Sequence, residues 1–150
     1  MKYFFLSFFI LYLFSSFRAG VRIAKLSCKS ASGRTVFNAE LENMESLQNA
    51  SLSIDKETVN FTYADKCYVT FYPEDKVLTM HLESEANSNF DTLRYVQFWA
   101  TPASFKDISE QPGPDTYTFN AKLKAMYPRG EKSHESPVIG LACTLVYEYP

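Results

Sequence analysis

Histidine is scarce in this 150-residue chain: it occurs twice, at positions too far apart to form the four-residue pair that grips zinc on one helix face. His81 falls on the polar row of an alternating segment, with Thr79 and Glu83, and His134 sits in the charged loop "KSHES". Neither has a sequence-local partner that would make it a catalytic base or complete a triad. No catalytic residue, metal ligand or cofactor is therefore assigned, and an enzyme is not expected. Positive charge is also short. With the first nineteen residues removed, which takes away Lys2 and Arg18, 13 basic residues face 17 acidic ones, a formal charge of −4. Nucleic acid is thus not an expected partner. Internal repeats and low-complexity tracts are absent.

Glycine is rare as well, with five copies, and its placement excludes two loop types. "SCKSASGRT", residues 27–35, has the small residues, glycine, cation and hydroxyl of a phosphate-gripping loop. Such a loop must run into a helix, whose free N–H groups converge on the anion. Here the alternating stretch "TVFNAEL" follows, so the segment is expected to be a hairpin corner. In "ESEANSNFDT", Glu83, Glu85, Asn87, Asn89 and Asp91 place oxygen on alternate residues. The glycine at the sharp turn and the closing acid of a calcium loop are missing, which leaves a solvated hairpin loop.

One long apolar run is present, at the start. "MKYFFLSFFILYLFSSFRAG" sets a single cation before an apolar stretch from Tyr3 to Phe17, the pattern of a secretory signal peptide over residues 1–20, cleaved near Gly20. The run is shorter than the roughly 20 residues a spanning helix needs, and an uncleaved anchor is the lesser alternative. A lipid anchor is excluded because Lys25, not leucine, stands three positions before Cys28. Residues 21–150 then form a single domain in the periplasm or outside the cell, with no stable membrane anchor after cleavage.

Export places the three cysteines where disulfides persist. Cys28 in "LSC" and Cys143 in "LAC" each follow a leucine by two residues, so each shares its leucine's face on a strand. They are assigned as the bridge, with Cys67 left as a buried free thiol or an intermolecular partner. Pairing of Cys28 with Cys67 is the competing arrangement.

What recurs through the rest is a period of two. Tyr117, Phe119, Ala121, Leu123 and Ala125 alternate with polar residues, and so do Ile139, Leu141, Cys143, Leu145 and Tyr147. Leu78, Met80 and Leu82 form another inward row, and Thr35, Phe37, Ala39 and Leu41 a fourth. Further strands are expected at 22–28, 48–54, 58–64, 67–72 and 93–100. "YPEDK" marks a turn, "YPRGEKSHESP" a solvated loop, and "ASFKDISEQ" one or two helical turns within 103–110. The expected fold is an all-β antiparallel sandwich of eight or nine strands with at most one short helix; a closed β-barrel is the alternative.

Aromatics are plentiful. In "CYVTFY" the row Cys67, Val69, Phe71 points inward, leaving Tyr68 and Tyr72 outside; in "LRYVQFWA" Tyr95 and Trp99 lie on the row opposite Val96, Phe98 and Ala100. If Tyr68, Tyr72, Tyr95 and Trp99 share a solvent face, they make a platform for a glycan, a peptide or a partner protein. If the 103–110 segment folds over them, they are a second small core. Asn49 in "NAS" and Asn60 in "NFT" match the N-glycosylation acceptor pattern, Asn60 provided that it faces outward.

These features give an exported, non-enzymatic binding or structural module as the leading expectation. A lipocalin-like carrier of a small apolar ligand is the runner-up, although the Gly-x-Trp that usually opens such barrels is absent and Trp99, the lone tryptophan, is mid-chain. A secreted hydrolase comes third, since it requires a histidine buried beside a carboxylate.

Overall fold

Alternation along each segment decides which side chains go inside. A computed structural model describes residues 22–72, 74–84, 94–129 and 132–148, with backbone alone for 127–129 and 132–134. The leader at 1–20, the oxygen-rich stretch beyond Ser84 up to Asp91, and the His134 side chain lie outside what is described. The strands are β1 (Ile23–Lys29), β2 (Thr35–Glu42), β3 (Ser46–Ile54), β4 (Glu57–Thr62), β5 (Lys66–Tyr72), β6 (Val77–Glu83), β7 (Tyr95–Ala100), β8 (Lys106–Asp107), β9 (Asp115–Arg129), β10 (Lys132–Glu135) and β11 (Ile139–Glu148). All ladders are antiparallel, and nine strands run in the order β4-β3-β2-β1-β11-β9-β7-β6-β5, with β8 and β10 added alongside β9. Among the described residues no helix is long and apolar enough to cross a membrane.

The sheet is curled, not flat. Phe37 on β2 and Phe98 on β7 are four ladder steps apart, about 19 Å in a flat sheet, yet their ring centroids are 5.4 Å apart. Phe71 on β5 likewise meets Tyr117 on β9, at 6.5 Å. The two edge strands, β4 and β5, are consecutive in the chain, separated by Tyr63, Ala64 and Asp65, where Asp65 accepts the Thr62 N–H at 2.7 Å and closes the turn. So short a link forces the edges of a nine-strand sheet together, and β5 comes against β3. The inner rows fill the space between: Leu26, Phe37, Leu41, Leu52, Phe61, Leu78, Leu82, Val96, Phe98, Leu123 and Leu145 are all buried.

The bridge sits at the middle of this path. Cys28 and Cys143 are directly opposite on β1 and β11, with Cα atoms 4.1 Å apart, the close spacing of a non-hydrogen-bonded antiparallel pair. Their sulfurs are bonded, and Cys67 is the free cysteine. First and last strands of the described fold are therefore joined covalently across a sequence separation of 115.

"KSASGR" forms the corner between β1 and β2. Gly33 takes φ of +70° and its N–H donates to the Ser30 carbonyl at 2.9 Å, while the Ser30 hydroxyl accepts the Thr35 N–H at 3.0 Å. Two segments differ from expectation. "YPRGEKSHESP" is not wholly a loop: β9 continues to Arg129 and β10 returns beside it. Leu123 is the last β9 residue paired with β11, and beyond it β10 takes that side of β9 from Met126 to Arg129. In place of one or two helical turns over 103–110 there is a single 3-10 turn at Pro102–Ser104; the chain then pairs Lys106 and Asp107 with Thr118 and Tyr117 of β9.

Candidate binding surface

Tyr68, Tyr72, Tyr95 and Trp99 all alternate with the inward row, so the fold puts the four on the outer face of β5 to β7. Tyr68 stands opposite His81, which stands opposite Gln97; Thr70, Thr79, Trp99 and Lys122 form the next cross-strand row. His81 and Gln97 thus separate Tyr68 from the two β7 aromatics, and the set shares a face without forming one cluster. Exposure divides it: Tyr68 is 67% and Tyr72 59% exposed, whereas Tyr95 and Trp99 are half-buried. Arg94 explains part of this, with its guanidinium carbon 5.6 Å from the Tyr95 ring centroid and its Nη2 3.8 Å from Glu83 Oε1. The segment after β7 follows β9 instead of folding over the tyrosines, and its Phe105 ring stacks on Phe119 at 4.4 Å.

Sequence reasoning missed Tyr63. Among the described residues five large hydrophobic side chains are exposed, and three of them, Tyr63 (82%), Tyr68 and Tyr72, lie on β5 or in the turn that leads into it. The strand expected at 58–64 would set Tyr63 on the inward row with Val59 and Phe61, but β4 ends at Thr62 and Tyr63 falls in the β4–β5 turn. Its position follows only from knowing that β5 is an edge.

The inner side of β5 is also incompletely covered. Cys67, Val69 and Phe71 are half-buried, while the matching row of β6, Leu78, Met80 and Leu82, is buried. Where the sheet fails to close, a cavity of about 440 Å³ opens between β5, the β2–β3 turn and the ends of β9 and β11. Met44, Phe71, Tyr72, Tyr117 and Tyr147 line it, together with polar groups of Arg22, Asn43 and Asp115. Asn43 and Met44 both adopt positive φ, 51° and 62°, in the three-residue link between Glu42 and Ser46, where the Glu45 N–H donates to the Glu42 carbonyl at 3.2 Å. For methionine that conformation is uncommon, and it swings the buried Met44 side chain into the cavity wall. Burial, and then the negative charges of Asp115 and Asp107, push the Tyr117 phenol up from its ordinary value.

Ionisable chemistry is sparse here. His81 packs beside Tyr68, ring centroids 6.4 Å apart, and Glu83, the carboxylate on its row, pairs with Arg94. Burial pushes the Cys67 thiol up to about 11, which suppresses the thiolate. Among the described residues no three His, Cys, Asp or Glu side chains are grouped to hold a metal ion. Compared with protein-family models, curated proteins and solved structures, the chain matches none.

Proposed function

We propose that this is an exported, non-enzymatic β-sandwich protein that binds a partner, a protein or a glycan, through the tyrosine-bearing outer face of its β5 edge. The observation that carries the reading is the concentration of exposed aromatics there: Tyr63 in the turn before β5 and Tyr68 and Tyr72 on it are exposed, on a strand that forms an edge of the sheet among the described residues. Tyrosine supplies large contact area with little rotamer freedom to lose and a hydroxyl for hydrogen bonds, which suits protein and carbohydrate surfaces alike. Contact across the interior between Phe37 and Phe98 supports a packed core between the two sides of the curled sheet, as a sandwich requires. The Cys28–Cys143 bridge is compatible with an oxidising compartment.

A second reading, the carrier, draws on one observation, the 440 Å³ cavity at the open seam with its aromatic lining. Its ligand would be small, apolar and carry a polar group for the mouth.

One panel separates the two readings. The protein is tested against an oligosaccharide array, a random peptide library and fluorescent fatty acids, in parallel with Tyr63→Ser/Tyr68→Ser, which leaves the cavity lining intact, and with Met44→Ala. A saccharide or peptide signal lost in the double tyrosine variant supports the surface reading. Fatty-acid binding lost in Met44→Ala, with the tyrosine variant unaffected, replaces it with the carrier. A turnover signal abolished by His81→Ala would displace both in favour of the hydrolase.

A further inference from the structure

The two acceptor motifs, Asn49-Ala50-Ser51 and Asn60-Phe61-Thr62, lie on adjacent antiparallel strands in a matched register: Asn49 is opposite Thr62, and Ser51 is opposite Asn60. Each asparagine therefore faces the hydroxyl residue of the other motif. The middle residues, Ala50 and Phe61, are buried, so alternation turns all four motif-defining side chains outward, and both asparagines are exposed. A one-residue slip of register would bury both. The next cross-strand pair, Ser53 with Thr58, joins hydroxyl to hydroxyl at 2.8 Å, so this whole strip is small, polar and open.

We infer that Asn49 and Asn60 both carry N-linked glycans, which coat the outer face of β3 and β4. The inference rests on the export reading above, because the donor, a lipid pyrophosphate-linked oligosaccharide, acts in the lumen of a glycosylating secretory pathway. In the transfer, sugar C1 leaves its bond to the pyrophosphate oxygen and bonds to asparagine Nδ2. The lipid pyrophosphate departs, and one Nδ2 proton is released to solvent. Asn49 donates from Nδ2 to Glu40 Oε2 at 2.8 Å, and since the amide nitrogen has two hydrogens the glycosylated form keeps one for that bond. Asn60 lies on β4, an edge strand of the sheet, and is exposed on its outer face.

The test expresses the full chain in a eukaryotic secretory cell, once with its own leader and once behind a strong supplied leader, with Asn49→Gln, Asn60→Gln and the double variant. Intact mass before and after enzymatic glycan release is the readout. Two increments are expected, one removed by each single variant and both by the double. A chain recovered from the medium in both arms without increments overturns the inference while export stands. Glycosylation only behind the supplied leader overturns export while both acceptor sites stand. A single increment abolished by one variant removes the other asparagine from the proposal.

Discussion

The outer faces of the two halves of this sheet are chemically unlike, although their inner faces are built alike. Inside, Leu52, Val59 and Phe61 on β3 and β4 answer Leu78, Met80 and Phe98 on β6 and β7, apolar and buried on both sides. Outside, β3 and β4 present Asn49, Ser51, Ser53, Thr58, Asn60 and Thr62, while β5 to β7 present Tyr68, Tyr72, His81, Tyr95 and Trp99. Inner rows are constrained by packing and say how the chain folds; outer rows are free of that constraint, so the exposed tyrosines of β5 need a reason other than stability. The polar half is where glycans are proposed, and the aromatic half where a partner is proposed.

Breaking the join between the halves should have the largest effect. Replacing Cys28 and Cys143 with alanine is expected to lower the free energy of unfolding by about 4 to 5 kcal/mol in the chain-entropy picture, read from urea denaturation. Next come the two rings that meet across the interior. Phe37→Ala and Phe98→Ala should each cost about 3 to 5 kcal/mol, and the double variant less than their sum, because the rings touch. Additive losses would mean that the two rings do not pack on each other. On the outer faces the effects shrink and diverge: half-buried Trp99→Ala should cost about 1 to 2 kcal/mol, against under about 0.5 kcal/mol for Ser53→Ala on the polar half.

Cys67 sharpens the comparison at the seam. Its folded thiol holds its proton to about 11, above the ordinary 9.0 of the unfolded chain. Between those values the unfolded state loses its proton first, so the stability present below about pH 9 declines as pH rises toward 11. At pH 8, iodoacetamide should label native Cys67 about a hundredfold more slowly than an unhindered thiol, and labelling at the free-thiol rate would mean that the seam is open to solvent. Asp107 runs the opposite way, its carboxyl held low by the Ser109 hydroxyl and N–H, so its contribution is lost as pH falls through the acid range.

Local periodicity carried a good part of this. The rows from Tyr117 to Ala125 and from Ile139 to Tyr147, the inward placement of Cys28 and Cys143, and the corner at Gly33 were legible because each depends on neighbours two to five residues away. Strand order was not legible: that β11 returns to β1, and that β4 and β5 become the edges, depends on pairings more than a hundred residues apart or on the curl of the whole sheet. The pairing of β10 with β9 hid behind residues of loop composition such as Pro128, which stands opposite Ser133 all the same. Of the aromatic platform, the shared outer face was readable, but not which members stay wet, because that turns on Arg94 covering Tyr95 and on where β5 ends up.

The account stands or falls most directly on the unfolding free energy of the Tyr68→Ser/Tyr72→Ser protein beside the parent chain. If these side chains exist for contact, stability should change by less than about 1 kcal/mol. A loss above about 3 kcal/mol would make them a second core and leave the aromatic half with no surface to offer.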